Sequence, residues 1–179
     1  LMIPKYFESI GLKDIELLVV GPGGSGQSYF MQYIKRHVFA NHQDDFDGLK
    51  HKGCPTKIDS RYKIGKCIFL YNDPLKAIHS HYRRKYHWAN ILKLGNLNNL
   101  KEKDVDTFKK YLDLTNKEKR DLFGMEYQFL NWVQKEKSYE IYFLDFNDIM
   151  DKKEELCNYL KIKNTSFDNF EIRKRAKKP

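Results

Sequence analysis

The sequence predicts a three-layer α/β fold, with a central, mainly parallel sheet flanked by helices. Three observations lead there. Short apolar runs with strand character lie at 15–20, 66–71 and 139–146. After the first run, apolar side chains recur every four residues, and helix-start signals follow the other two. A glycine cluster or an acidic turn closes each run. Strands that alternate with helices form parallel sheets, because the crossover between parallel neighbours needs a helix-length connection. Ligands of such sheets bind beyond the carboxyl ends of the strands.

Ile15-Glu-Leu-Leu-Val-Val20 is nearly continuous apolar sequence and reads as a buried strand. From Gln27 to about Ala40, Phe30, Ile34 and Val38, with Met31 beside them, mark a helix with one face on the sheet. Residues 41–65 are polar and irregular, with a short strand expected near Leu49–Cys54. Lys66–Tyr71 is the second strand, ended by Asn72-Asp73-Pro74. Asp73 suits an N-cap and Pro74 a first helical turn, so a helix is expected to about Trp88. Residues 93–116, rich in Asn and Lys, read as an excursion with one short helix. Thr115 and Glu118 form a capping-box signal for a long helix through Phe129, Trp132 and Val133. Tyr139–Phe146 is the third strand. Asp151 with Glu154 then opens a helix ending near Leu160. No internal repeat is present.

The 179 residues fit one domain spanning 1–179, with a polar excursion at about 89–116 and a basic tail at about 171–179. Mean hydropathy is low at −0.72, yet 12 Phe, 12 Tyr and 2 Trp exclude a disordered chain. Cys54, Cys67 and Cys157 are odd in number and lack ligand spacing. That argues against a disulfide framework and a zinc knuckle, and for a reducing, cytoplasmic setting. No apolar run reaches the roughly 18 residues of a membrane span, and no signal-peptide stretch opens the chain. Leu1 preceding Met2 leaves an upstream targeting segment open. The net charge of +9 predicts attraction to anions: nucleotides, sulfated or acidic substrates, or nucleic acid.

Gly21-Pro-Gly-Gly-Ser-Gly-Gln-Ser28 lies between a strand and a helix, the context that a phosphate loop needs. Glycines let the backbone curl with N–H groups inward, and the helix start adds unpaired donors and positive dipole. Gly21, Gly26 and Ser28 are in register with the nucleoside-triphosphatase pattern, but Gln27 stands in place of its lysine. A glutamine offers an amide donor without charge, which weakens any triphosphate reading. The bland alternative is a turn that binds nothing. Context and spacing favour an anion held by Gly23, Gly24, Ser25, Gly26, Gln27 and Ser28.

Tyr71-Asn-Asp-Pro-Leu-Lys-Ala-Ile-His-Ser-His-Tyr82 resembles the 3′-phosphate motif of sulfotransferases that use 3′-phosphoadenosine 5′-phosphosulfate. In that family a strand ends in Arg-x-Pro and a serine follows on the next helix. Pro74 and Ser80 occupy the matching places, and Asn72 stands where the family has arginine. Gly24-Ser-Gly-Gln-Ser28 looks like the family's 5′-phosphosulfate loop, with Gly24 in place of lysine. Ile141–Leu160 is similar to its late strand-and-helix segment. The resemblance implies a small, divergent P-loop sulfotransferase. It would transfer a sulfuryl group from that donor to a hydroxyl or amine acceptor, with no metal.

On a helix, Ser80 shares a face with Lys76, Ala77, Arg83 and Arg84. Either arginine would replace the charge absent at Asn72, against the bland reading of a solvated basic face. Lys50-His51-Lys52-Gly53-Cys54-Pro55 is similar to the family's Lys-x-His-x-Pro segment. The resemblance makes His51 the general base and Lys52 the group that steadies charge; a surface histidine in a basic loop is the alternative. Tyr82 and Trp88 are candidates to stack on adenine, or core aromatics. His79 and His81 are two apart and point to different sides, so they do not share a metal.

Two other functions stay open. One is a P-loop kinase with magnesium at Asp73 or Asp145, opposed by Gln27. The other is a degenerate anion- or nucleotide-binding module that has lost catalysis with the lysine and arginine. Nucleic acid is not expected as a partner, since no base-reading motif accompanies the Lys/Arg-rich tail. Residues 89–116, with Asn96, Asn98 and Asn99, are expected to close over the acceptor. The acceptor and the oligomeric state are not legible.

Overall fold

A computed structural model of the chain describes residues 13–94 and 99–171. Leu1 and Met2, Asn96, Asn98 and the basic tail Arg173–Pro179 lie outside the described residues. Three strands, β1 (Lys13–Val20), β2 (Tyr62–Tyr71) and β3 (Glu140–Asp145), form a parallel sheet in the order β1-β2-β3. Val20 pairs with Phe69 and Tyr71 with Asp145, so all three strands end at one edge.

β1 has a second neighbour. Ala40 forms a parallel bridge to Leu17, with the Leu17 N–H 3.1 Å from the Phe39 carbonyl. The Asn41 amide then pairs with the Val19 N–H (2.7 Å) and carbonyl (3.1 Å), in the manner of a peptide group. From β1 the chain runs through α1 (Gln27–Ile34) to this bridge on one side, then returns past β1 to β2 on the other. In open α/β sheets, ligands bind beside such a reversal of direction.

Alternating strand residues face opposite layers. Leu17, Val19, Ile68 and Leu70 pack with Phe30 and Ile34 of α1 and with Leu156 and Leu160 of α6 (Lys153–Leu160). Leu18, Val20, Cys67 and Phe69 pack with Leu49 and with Trp132 of α5 (Met125–Gln134). A third cluster joins α2 (Pro74–Arg83), α3 (His87–Leu94) and α4 (Phe108–Glu118) through Ala77, Ile78, Ile91 and Tyr111. The polar excursion therefore has an apolar centre of its own.

Several boundaries differ from expectation. α1 stops at Ile34, because the chain must turn to reach the bridge at Ala40; Val38 is still buried, on that turn. Leu49–Cys54 forms no strand, only a close return against the glycine loop. The helix after Pro74 ends at Arg83, since Lys85 takes a left-handed φ of 59°, and α3 restarts at His87. Thr115 falls near the end of α4 rather than opening a helix. Thr107 caps that helix, accepting from the Lys110 N–H at 3.2 Å. Left-handed Lys119 and Gly124 then separate α4 from α5. α6 begins at Lys153, two residues beyond Asp151.

Candidate functional site

The glycine loop leaves β1 at the strands' shared carboxyl edge. Gly26 caps α1 with a left-handed φ of 85°, and a Cβ there would stand 2.4 Å from the Phe146 ring. Only glycine suits both demands. The N–H groups of Gly23 to Ser28 donate to no backbone carbonyl among the described residues. That follows from the curl and from the helix start, where the first turn has no preceding carbonyls. Ser25 is fully buried, and its hydroxyl has no partner among the described residues.

The segment after Leu49 is laced to this loop. The Lys50 carbonyl accepts from the Gly21 N–H at 3.1 Å and from Gln27 Nε2 at 3.3 Å. Gln27, with its side chain so engaged, holds the return segment in place. The Lys50 ammonium donates to Ser28 Oγ at 2.9 Å and to the Gln43 carbonyl, and the residue is 7% exposed. Burial lowers its pKa, with Asp45 and Asp44 opposing. Asp45 accepts from the Lys50 N–H at 2.9 Å and pairs with Lys93 at 3.3 Å. A cation thus stands at the first turn of α1, although the loop itself has none. Sequence reasoning missed this role for Lys50; only its place beside His51 pointed to it.

His51 Nδ1 lies 3.0 Å from the Gly21 carbonyl. A carbonyl only accepts, so Nδ1 carries the proton and Nε2 the free lone pair. Burial pulls its pKa down to about 4, against the raising effect of the Gly21 carbonyl and Asp45. The imidazole is therefore neutral at pH 7. The Lys52 carbonyl accepts from Gln128 Nε2 (2.9 Å) and Trp132 Nε1 (2.8 Å), which ties this segment to α5.

The other expected site residues are arranged differently. Asn72 Oδ1 accepts from the Asp73 N–H at 2.7 Å and from Asn147 Nδ2 at 2.9 Å, joining the ends of β2 and β3. Ser80 is buried, whereas Arg83 and Arg84 are exposed. Arg84 Nε donates to the Ser80 carbonyl at 3.2 Å, and its guanidinium lies 5.8 Å from the Tyr86 ring. Tyr82 stacks on His87 at 4.4 Å and donates to the Val105 carbonyl at 2.8 Å, while Trp88 packs on the excursion's core. Both aromatics thus help build the third cluster. Asp73 and Asp145 cap the turns that follow their strands.

α2 does lie against the loop, by a different face. A Cβ on Gly24 would meet the Ala77 carbonyl at 3.0 Å. One turn on, His81 is 3% exposed and faces Gly23 and Gly24, beside Asn90 of α3. Its spacing of four from Ala77 was the available signal. A cavity of about 460 Å³, lined by Tyr62, Lys63, Lys137 and Tyr139 among others, lies at the opposite edge, where β2 and β3 begin. No described helix is long and apolar enough to cross a membrane. No family model, curated protein or solved structure matches the chain.

Proposed function

We propose that the protein is a small sulfotransferase-like P-loop domain whose glycine loop binds the phosphosulfate end of 3′-phosphoadenosine 5′-phosphosulfate. One observation carries the reading: N–H groups with no backbone acceptor among the described residues lie at the strand-to-helix curl beside a buried ammonium, with Lys50 Nζ on Ser28 Oγ. Backbone donors, a helix start and a desolvated cation together suit a terminal oxyanion. Lys50 takes the charge-steadying role that the family resemblance gave to Lys52 and that Gly24 and Gln27 cannot fill.

The chemistry follows from that seat. An acceptor hydroxyl or amine attacks sulfur in line with the bridging oxygen. The S–O bond to the 5′-phosphate breaks, and adenosine 3′,5′-bisphosphate leaves with the electron pair. His51 Nε2 takes the acceptor's proton; a bound anion nearby raises the basicity of this buried imidazole toward the working range. Ser80, Asn72, Arg83 and Arg84 are assigned to the 3′-phosphate, which requires Arg84 to leave the Ser80 carbonyl.

Calorimetry with adenosine 3′,5′-bisphosphate tests the reading, with magnesium-ATP as the contrast. Preferential binding of the bisphosphate supports it, and no binding at millimolar ligand removes it. Sulfuryl transfer to a phenol or amine panel then tests catalysis. The second reading, an anion-binding module without turnover, is favoured by the bond of Arg84 to the Ser80 carbonyl of its own helix turn. It prevails if the bisphosphate binds but no acceptor is modified.

A further inference from the structure

His81 is 3% exposed, and its Nε2 has no hydrogen-bond partner among the described residues. Its other nitrogen identifies the tautomer. Asn90 Nδ2 donates to the Tyr86 carbonyl at 2.8 Å, which fixes the orientation of that amide. The same Nδ2 lies 3.1 Å from His81 Nδ1. An amide nitrogen only donates, so Nδ1 must accept, and the proton of the neutral ring belongs on Nε2.

That Nε2–H is directed at the glycine loop. A Cβ built on Gly23 would stand 2.9 Å from Nε2, and one on Gly24 3.1 Å away. Burial, the largest influence, disfavours a charged ring; the Gly23 carbonyl beside the ring works the other way, although it lies outside hydrogen-bond geometry to Nε2. A buried donor left unpaired destabilises the fold, so such a group at a loop of unpaired N–H groups points to a ligand that completes it.

We propose that His81 is an anion-binding residue: its Nε2–H donates to a terminal oxygen of the phosphate or sulfate seated in the glycine loop, and Asn90 is the positioning residue that sets its tautomer. The proposal rests on the reading of the loop as an anion site. It also gives the break between α2 and α3 a purpose. The Tyr86 N–H bonds the His81 carbonyl at 2.9 Å, and the turn brings Asn90 back over the imidazole. An uninterrupted helix to Trp88 would have carried that stretch of chain onward, away from His81.

The test is ¹⁵N NMR of the imidazoles in the intact wild-type chain, titrated with adenosine 3′,5′-bisphosphate, inorganic pyrophosphate and sulfate. Without ligand, His81 is expected as the Nε2–H tautomer. Each bound anion should shift Nε2 and slow exchange of its proton; a response to pyrophosphate or sulfate alone assigns the contact to the anion rather than the nucleoside. Asn90→Asp should invert the tautomer, turning a lone pair toward the anion, and weaken binding by about tenfold or more. His81→Gln, which keeps a donor, should bind better than His81→Phe. Anion binding that leaves the His81 Nε2 resonance unchanged, or an Nδ1–H tautomer in the free protein, overturns this inference but not the anion reading. If no anion binds the wild type, the anion reading itself falls, and this inference with it.

Discussion

At the glycine loop, polar groups are short of partners among the described residues: the buried Ser25 hydroxyl and His81 Nε2, and a run of N–H groups that donate to no backbone carbonyl, with the Lys50 ammonium on Ser28 beside them. On the last turn of α2, the cations are exposed, and Arg84 is engaged within its own helix turn. The two regions lie on neighbouring elements but differ in preorganisation. A buried group whose position is already fixed loses little entropy on binding, whereas an exposed arginine must be ordered first. Under the proposed function, affinity belongs chiefly to the loop and discrimination of the nucleotide to the arginines.

Gly26→Val should break that difference most strongly. A β-branched residue at φ 85° is strained, and its side chain would meet the Phe146 ring. Stability should fall by about 3 kcal/mol, read by chemical denaturation. Binding of adenosine 3′,5′-bisphosphate should be lost wherever the variant still folds. A variant that binds normally would show that the curl is not the anion seat.

The pH dependence of stability probes the same region. His51 has a folded pKa near 4, below its unfolded value of 6.5. The unfolded chain therefore takes up a proton between those values while the folded chain does not, and stability falls as pH drops from about 6.5 toward 4. The His51 share is on the order of 3 kcal/mol, and His81 adds in the same direction. His51→Gln should flatten the wild-type curve across that window. Equal slopes in the two proteins would mean that the imidazole is solvated.

Lys50→Met separates charge from structure. The backbone of Lys50 keeps its bonds to Gly21 and Gln27, while the ammonium beside Ser28 is removed. Anion affinity should fall about tenfold, an ion-contact loss of the usual size. Stability should hold or rise, because burying a lysine costs solvation. Unchanged affinity would move the cation out of the site.

Much of this was legible in the chain. The three apolar runs lie within or overlap the strands, because a buried parallel strand needs unbroken apolar sequence. The glycine loop was legible because its residue types are tied to backbone geometry. The break after Arg83 was not, since a left-handed lysine leaves no compositional mark. The Thr115 signal misled because Thr107, followed by Phe108 and Tyr111, offered an earlier cap with an apolar face behind it. Lys50 reaches the loop through tertiary return of the chain, which local spacing does not encode, whereas the spacing of His81 from Ala77 shows only that the two share a face of α2, not what that face meets. Arg84 beside Ser80 was correct as helix geometry, yet the contact uses the carbonyl rather than the hydroxyl.

The smallest effect is expected at that arginine. Its guanidinium is exposed and already has the Ser80 carbonyl and the Tyr86 ring as neighbours, so much of any gain on phosphate is offset by bonds given up. Adenosine 3′,5′-bisphosphate should therefore bind only about three- to tenfold tighter than adenosine 5′-phosphate. Arg84→Ala should bring the two ligands together without weakening the 5′-phosphate alone, because the loop's donors are untouched. If the 3′-phosphate adds nothing in the wild type, the turn of α2 is a solvated basic face, and the nucleotide reading shrinks to an oxyanion in the glycine loop. If Arg84→Ala weakens both ligands equally, the guanidinium reaches the loop itself, and the contrast between the two regions is the wrong one.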